Sequence, residues 1–175
     1  MNYFEFYKIP ITFKVDEAAL KRIFYLNSKK YHPDFFTLES EEKQSQILEL
    51  STLNNEAYQT LKDFDKRMKY VLELKGLLSA EGKDKLPQSF LMEMMEINEA
   101  LMELEFDFDA QNYTNAKQSV EALAQQLDTQ IAPIIEHYDD ANANVEQLNI
   151  LKNYFLKKRY LLRIFENLSR FAPAE

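Results

Sequence analysis

Apolar residues return every three or four positions through most of this chain, the period of a helix buried along one face. Leu20, Ile23 and Phe24 share such a face, and Asp16 ahead of them is a good N-cap, so a helix is predicted from Asp16 up to Tyr31. It must stop at or before His32, because Pro33 pushes the preceding residue away from helical angles. A short helical turn over Tyr3 to Tyr7 precedes it. A third helix is predicted from near Ser40, with Glu41 and Glu42 in its first turn and a stripe of Ile47, Leu50, Ala57, Tyr58 and Leu61. Asp63 caps a fourth, which carries Met68, Val71, Leu72 and Leu74 and is closed by Gly76. Three longer periodic stretches follow, from about Ser89 to Phe108, from about Thr114 to His137, and from near Asn144 to about Arg170. Pro133 lies inside the second of these and removes a backbone donor, which predicts a kink or an early end.

The fold class is therefore all-α, in two parts. Both glycines of the chain fall in "GLLSAEGKDKLPQ", residues 76–88, with Pro87 close behind. This stretch is read as a linker between a domain over 1–75 and a second over 89–175. Three long helices with short connections predict an antiparallel bundle for the second domain.

Charge divides at the same place. Residues 1–75 carry 12 Lys/Arg against 12 Asp/Glu; the remainder carries 9 against 17, the whole of the net −8. A nucleic acid is not expected to bind the second half, since its phosphates would be repelled; a basic surface on a protein partner suits it better. The chain has no cysteine, which excludes disulfides, thiol nucleophiles and any thiolate-held zinc or iron–sulfur cluster on it. No membrane span and no signal peptide is read from the sequence, so a cytoplasmic location is expected.

The stretch "KKYHPDFF", residues 29–36, holds one of only two histidines. His32 and Asp34 could form a general base with its orienting partner. No nucleophile or glycine-rich loop accompanies them, and the other histidine is too far along the chain to complete a metal site. A solvated loop with an incidental histidine is the plain alternative. The third reading is recognition: Pro33 stiffens the turn, His32 offers a ring N–H, Asp34 accepts a charge-assisted bond, and Lys21, Arg22, Lys29 and Lys30 on the preceding helix attract an acidic surface.

"LKRIFYLNSKKYHPDFF", with "LNNEAYQTLKDFDKRMKY" after it, resembles the J-domain of DnaJ-type co-chaperones over residues 3 to about 74. Tyr31 before His32-Pro33-Asp34 matches one signature of that family; Asp63, Lys66, Arg67 and Tyr70 match a second. The resemblance implies that His32, Pro33, Asp34 and the basic helix dock on a DnaK-type chaperone and stimulate its ATPase. The match departs at Tyr25 and Leu26, where many J-domains carry a basic pair, and at Phe35, where many carry Lys or Arg. The docking surface is less positive than usual, which points to a specialised partner.

"FLMEMMEINEALMELE", residues 90–105, carries more apolar surface than one bundle face needs. At ~100° per residue, Phe90, Met94, Ile97, Leu101, Leu104 and Phe108 lie within ~40° of one direction and form the core stripe. Leu91, Met92, Met95 and Met102 centre ~140° away, with Glu96, Glu99 and Glu103 beside them. Such a methionine-rich second face reads as a binding site, a self-association face, or a surface packed on the first domain.

A J-domain, a short linker and a C-terminal three-helix bundle is also the layout of the HscB co-chaperones, which "NYFEFYKIP" and the methionine run resemble. That resemblance implies a non-enzymatic co-chaperone of iron–sulfur cluster assembly, without cofactor. It would bind an IscU-type scaffold and deliver it to a DnaK/HscA-type ATPase, as a monomer. It also assigns scaffold binding to Leu91, Met92, Met95, Glu96, Glu99 and Glu103, with an aromatic contact from Tyr154 or Phe155. The alternatives are a J-protein with a different client, a helical scaffold or dimer using the Met/Leu face, and a hydrolase built on His32 and Asp34.

Overall fold

The computed structural model describes residues 1–171. Seven α-helices and two 3-10 turns account for its regular structure, and there is no strand among the described residues. The helices are α1 (Tyr3–Tyr7), α2 (Glu17–Lys30), α3 (Glu41–Leu61), α4 (Phe64–Leu74), α5 (Gln88–Phe106), α6 (Ala110–Glu136) and α7 (Val145–Ser169). The 3-10 turns cover Pro33–Phe36 and Asp140–Asn142. The chain folds as two compact units, Met1–Lys75 with Tyr138–Asn142, and Gly76–His137 with the chain from Ala143.

In the first unit, α2 and α3 form a hairpin, and local chemistry sets its ends. The side chains of Asp16, Ser40 and Asp63 accept the backbone N–H groups of Ala19, Lys43 and Lys66, donors that a helix start would otherwise leave unpaired. Gly76, at φ +68°, takes the left-handed conformation just beyond α4. Phe24 stacks on Tyr58 between α2 and α3, ring centroids 4.2 Å apart.

Beneath that pair, Asn54 is buried and fully used. Its amide donates to the Phe24 carbonyl and to Ser28 Oγ, both at 3.1 Å, and its oxygen accepts from Tyr7 Oη at 2.9 Å. One side chain thus ties α1, α2 and α3. Arg67 on α4 is buried too, and its Nε donates to the Phe13 carbonyl at 2.9 Å while a terminal nitrogen donates to Leu61. Burial pulls its pKa down, and Asp63 and Glu17 act the other way, so the two carbonyls and these carboxylates together hold the guanidinium there. The motif residues Arg67 and Tyr70 are therefore built into the fold, Tyr70 Oη accepting the Tyr3 N–H at 3.0 Å.

Residues 138–142 belong to this unit although they follow α6 in sequence. Tyr138 meets Phe13 edge-on at 4.7 Å and donates to Asp140 Oδ1 at 2.7 Å, and Asp140 pairs with Lys75. Nothing in the sequence pattern marked them.

Four phenols of this unit titrate above the ordinary tyrosine range, each chiefly through burial. Tyr3 has added repulsion from Glu56, Tyr7 from Tyr58, Tyr70 from Glu5 and Glu73, and Tyr138 a hydrogen bond to Asp140. A raised pKa means the folded state holds these protons more tightly than the unfolded chain. Their contribution is complete below about pH 10 and is lost as the pH rises above it. Urea unfolding followed at the methyls of Leu61 should show a lower midpoint at pH 11 than at pH 8, and an unchanged midpoint would refute the tighter hold on these protons.

The second unit is a three-helix bundle. Phe90, Met94, Leu101 and Leu104 of α5 face Val120, Leu127 and Ile131 of α6 and Leu151, Leu161, Ile164 and Leu168 of α7, all buried. Of residues 76–88, predicted as a linker, 76–87 form a loop pinned within this unit and Gln88 opens α5. The Ser79 N–H donates to Asp84 Oδ2 at 2.9 Å, and Asp84 pairs with Lys152 of α7 at 3.6 Å.

Three boundaries differ from those predicted. α6 starts at Ala110 and not near Thr114, because Asp109 caps it by accepting the Asn112 N–H at 2.8 Å. It also runs unbroken through Pro133 to Glu136. The proline sits in the last turn, and the carbonyl it leaves without a partner, at Thr129, lies on an exposed residue open to water. Finally, α5 ends at Phe106, so Phe108 leaves the predicted core stripe, is half exposed, and lies 6.1 Å from the Phe171 ring and 6.0 Å from Tyr113.

Candidate functional site

Two surfaces, one on each unit, carry the residues singled out in the sequence. On the first, α2 ends at Lys30, and the chain turns through Tyr31 and His32 into the 3-10 turn that Pro33 opens. His32 Nδ1 accepts the Asp34 N–H at 3.3 Å. That bond leaves the neutral ring carrying its hydrogen on Nε2. The Asp34 carboxylate stands 3.7 Å from Nδ1, and both side chains are well exposed. The tip thus presents one ring N–H donor and one carboxylate acceptor on a stiffened turn.

Among the described residues no group of three or more His, Cys, Asp or Glu could hold a metal ion. Lys21, Arg22, Lys29 and Lys30 are all exposed on α2, and none makes an ion pair among the described residues. Lys21 lies over the Tyr25 ring and Lys30 over the Tyr31 ring, at 5.9 and 5.0 Å from the centroids. The tip and the basic helix face are consecutive along the chain.

On the second unit, α5 separates as the helical wheel predicts. Its core stripe is buried while Leu91, Met92, Met95 and Met102 are 42–69 % exposed. Glu96, Glu99 and Glu103 are exposed beside them, with no ion-pair partner among the described residues.

Tyr154 and Phe155 are placed differently. They are only 6 % and 7 % exposed, and Tyr154 Oη donates to Asp128 of α6 at 2.7 Å, with Lys158 on the same carboxylate at 3.1 Å. Both are largely buried bundle residues, so little of either ring is left for a partner to meet. Their neighbours on the helix explain it: Leu148, Leu151 and Leu161 draw the same face of α7 inward.

The flank of α5 toward α6 is a groove of about 580 Å³ that the sequence reading missed. Its floor includes Met94, Ile97 and Ala100, and Ala116 and Ser119 form the α6 side. The available signal was the run of small residues on α6, which cannot fill the space between two helices. Glu96 and Glu103 belong both to its rim and to the edge of the methionine face.

Among the described residues no helix is long and apolar enough to cross a membrane. The profile described as "HSCB C-terminal oligomerisation domain" matches residues 86–169, which covers α5 through α7. The co-chaperone protein HscB homolog of Psychromonas ingrahamii is 30 % identical over 170 residues, covering 95 % of this chain and 97 % of the relative. The homolog of Vibrio cholerae is 34 % identical over 139 residues, 79 % and 75 % of the two chains. Among solved structures, chaperone HscB from Vibrio cholerae superposes with a TM-score of 0.65 at 26 % identity, covering 98 % of this chain and 97 % of that one. Human co-chaperone HscB gives 0.69 at 26 % identity, covering 97 % and 81 %. An exposed His-Pro-Asp turn on one helical unit, a methionine face on the bundle beyond it, and relatives matched along almost their whole length lead to one assignment: this chain belongs to the HscB co-chaperone family.

Proposed function

We propose that this co-chaperone serves iron–sulfur cluster assembly by holding an IscU-type scaffold protein on its bundle and presenting it to a DnaK/HscA-type ATPase. His32, Pro33 and Asp34 dock on the ATPase and stimulate hydrolysis, and Lys21, Arg22, Lys29 and Lys30 steer the approach. Leu91, Met92 and Met95 form the apolar centre of the scaffold site, and Glu96, Glu99 and Glu103 its rim. Tyr154 and Phe155 support that site from within the bundle. The chain acts as a monomer in the cytoplasm and performs no chemistry itself.

The observation that carries this reading is the pairing of two unpartnered surfaces of opposite charge on one chain. A basic helix ends in a stiff donor–acceptor tip, and an acidic helix exposes four large apolar side chains. The absence of cysteine fits a protein that carries the scaffold and leaves the cluster to it. Linking the two contacts raises the concentration of scaffold at the ATPase without any new contact between those two proteins.

The test is steady-state ATP hydrolysis by the DnaK-type chaperone of the same organism, with this protein, with scaffold, and with both. Stimulation by the pair should exceed the sum of the separate effects. Stimulation by this protein that scaffold does not increase would replace the client, and none at all would refute the docking role. Sizing at two concentrations separates monomer from self-association through the methionine face.

A further inference from the structure

Every sulfur of this chain belongs to one of six methionines, since there is no cysteine. The fold divides them by exposure. Met68 and Met94 are 1 % and 0 % exposed, each in the core of its unit. Met92, Met95 and Met102 are 64, 58 and 69 % exposed and lie within ~80° of one another around α5. Met94 stands between Met92 and Met95 in sequence, so burial and not sequence context sets it apart from them. Met1 is exposed at the start of the chain.

A thioether is apolar and polarisable, and its sulfur carries lone pairs that oxidants can reach in water. The sulfoxide that results is polar and accepts hydrogen bonds. Three such sulfurs therefore make the character of this face depend on oxidation, which Leu91 beside them does not. The surrounding charge selects the oxidant. α5 carries Glu93, Glu96, Glu99, Glu103 and Glu105 and no cation, a field that repels anionic oxidants and leaves an uncharged peroxide unhindered.

We propose that Met92, Met95 and Met102 form a reversible modification site, each taking one oxygen atom from an uncharged peroxide, and that their sulfoxides release the scaffold protein. This rests on the scaffold role proposed above and adds a regulation to that site. A sulfur lone pair attacks one peroxide oxygen, the S–O bond forms and the O–O bond breaks. The leaving hydroxide takes the proton of the transferred hydroxyl and departs as water; sulfur loses two electrons and the peroxide gains them. Two thiols of a reductase reverse the step, giving the thioether, a disulfide and water. A sulfoxide oxygen buried at an apolar contact loses its water without gaining a partner, so binding falls. The side chains face solvent in the free protein, so the bundle keeps its core. Neither α2 nor the His-Pro-Asp turn holds a methionine, so stimulation of the ATPase by this protein alone should survive while the added effect of scaffold is lost.

The experiment treats the full chain with hydrogen peroxide, removes the excess with catalase, and maps oxygen uptake by peptide mass spectrometry. Scaffold protein that has not met peroxide is then titrated into treated and untreated protein. Met1, Met92, Met95 and Met102 should each gain one oxygen before Met68 or Met94 gains any, with helicity unchanged. The treated protein should bind scaffold at least ~10-fold more weakly, and a thiol-dependent methionine sulfoxide reductase should restore the affinity. Met92→Leu/Met95→Leu/Met102→Leu is compared only with itself: whatever its starting affinity, peroxide should not change it. An equal loss in that variant places the effect elsewhere, Met1 included, and overturns the site. Unchanged affinity of oxidised wild type overturns the switch and leaves the scaffold role standing. Uptake at Met68 and Met94 as fast as at the exposed positions, or a fall in helicity, makes the effect damage to the core and overturns the proposal as well. If untreated protein binds no scaffold, the scaffold role fails and the switch with it.

Discussion

Replacing His32 with Gln is expected to abolish stimulation of the partner ATPase while leaving helicity and scaffold binding unchanged. The imidazole has two tasks at the tip. Nδ1 accepts the Asp34 N–H and so closes the 3-10 turn that Pro33 begins. Nε2, with its hydrogen, faces outward as a donor. A glutamine can repeat one of these bonds but not both, because its amide is shorter and its donor and acceptor leave from one carbon.

Asp34 would lose its orienting partner at the same time, and a misplaced carboxylate no longer meets a cationic group on the ATPase at the right angle. Losing an orienting contact and a charge-assisted bond together costs several kcal/mol at an interface of this kind. His32 itself is exposed, so the thermal midpoint should stay within about 2 °C of wild type, the range of an ordinary surface change. Measured stimulation equal to wild type would remove His32 from the docking turn.

The helices and their starts were legible in the sequence wherever a short polar side chain preceded an apolar stripe. Asp16, Ser40, Asp63 and Asn144 each cap the helix they announce. The His-Pro-Asp turn was legible because proline constrains its own neighbourhood, and the methionine face because a wheel separates surplus apolar residues from core ones. Features that depend on distant partners were not. The Asp109 cap of α6 is local, but Asp107 and Asp109 flank an apolar Phe108 that continues the stripe of α5 and hides the break between the two helices.

Tyr138 looks like an ordinary loop residue until Phe13, far away in sequence, is placed against it. Tyr154 and Phe155 each lie on an apolar stripe, but only the positions of α5 and α6 decide which way that stripe turns. Pro133 had the opposite fate. Its missing donor predicts a kink or an early end, but a proline in the last turn of a helix forfeits one bond at an end that water already reaches, and α6 runs on to Glu136.

Changing Leu91, Met92 and Met95 together to Ala is expected to weaken scaffold binding by about 3 kcal/mol, or ~150-fold, with the bundle intact. The three side chains are exposed in the free protein and contribute little to its core, which Phe90, Met94, Leu101 and Leu104 form on the other side of α5. Alanine also has the highest helix propensity, so the helix itself should gain slightly. What the variant removes is apolar surface that only a partner can cover.

The charges around it argue the same way. α5 carries Glu93, Glu96, Glu99, Glu103 and Glu105 and no cation. Like charges three or four residues apart each cost a few tenths of a kcal/mol in the free helix. A basic partner surface would relieve that cost, so reversing Glu96, Glu99 and Glu103 to Lys should weaken binding further and flatten its dependence on salt. Isothermal titration of the scaffold into wild type and the triple alanine variant, with circular dichroism to confirm the fold, decides the matter. Unchanged affinity in a folded variant would move the scaffold off this face and leave the groove toward α6 as the surface to test next.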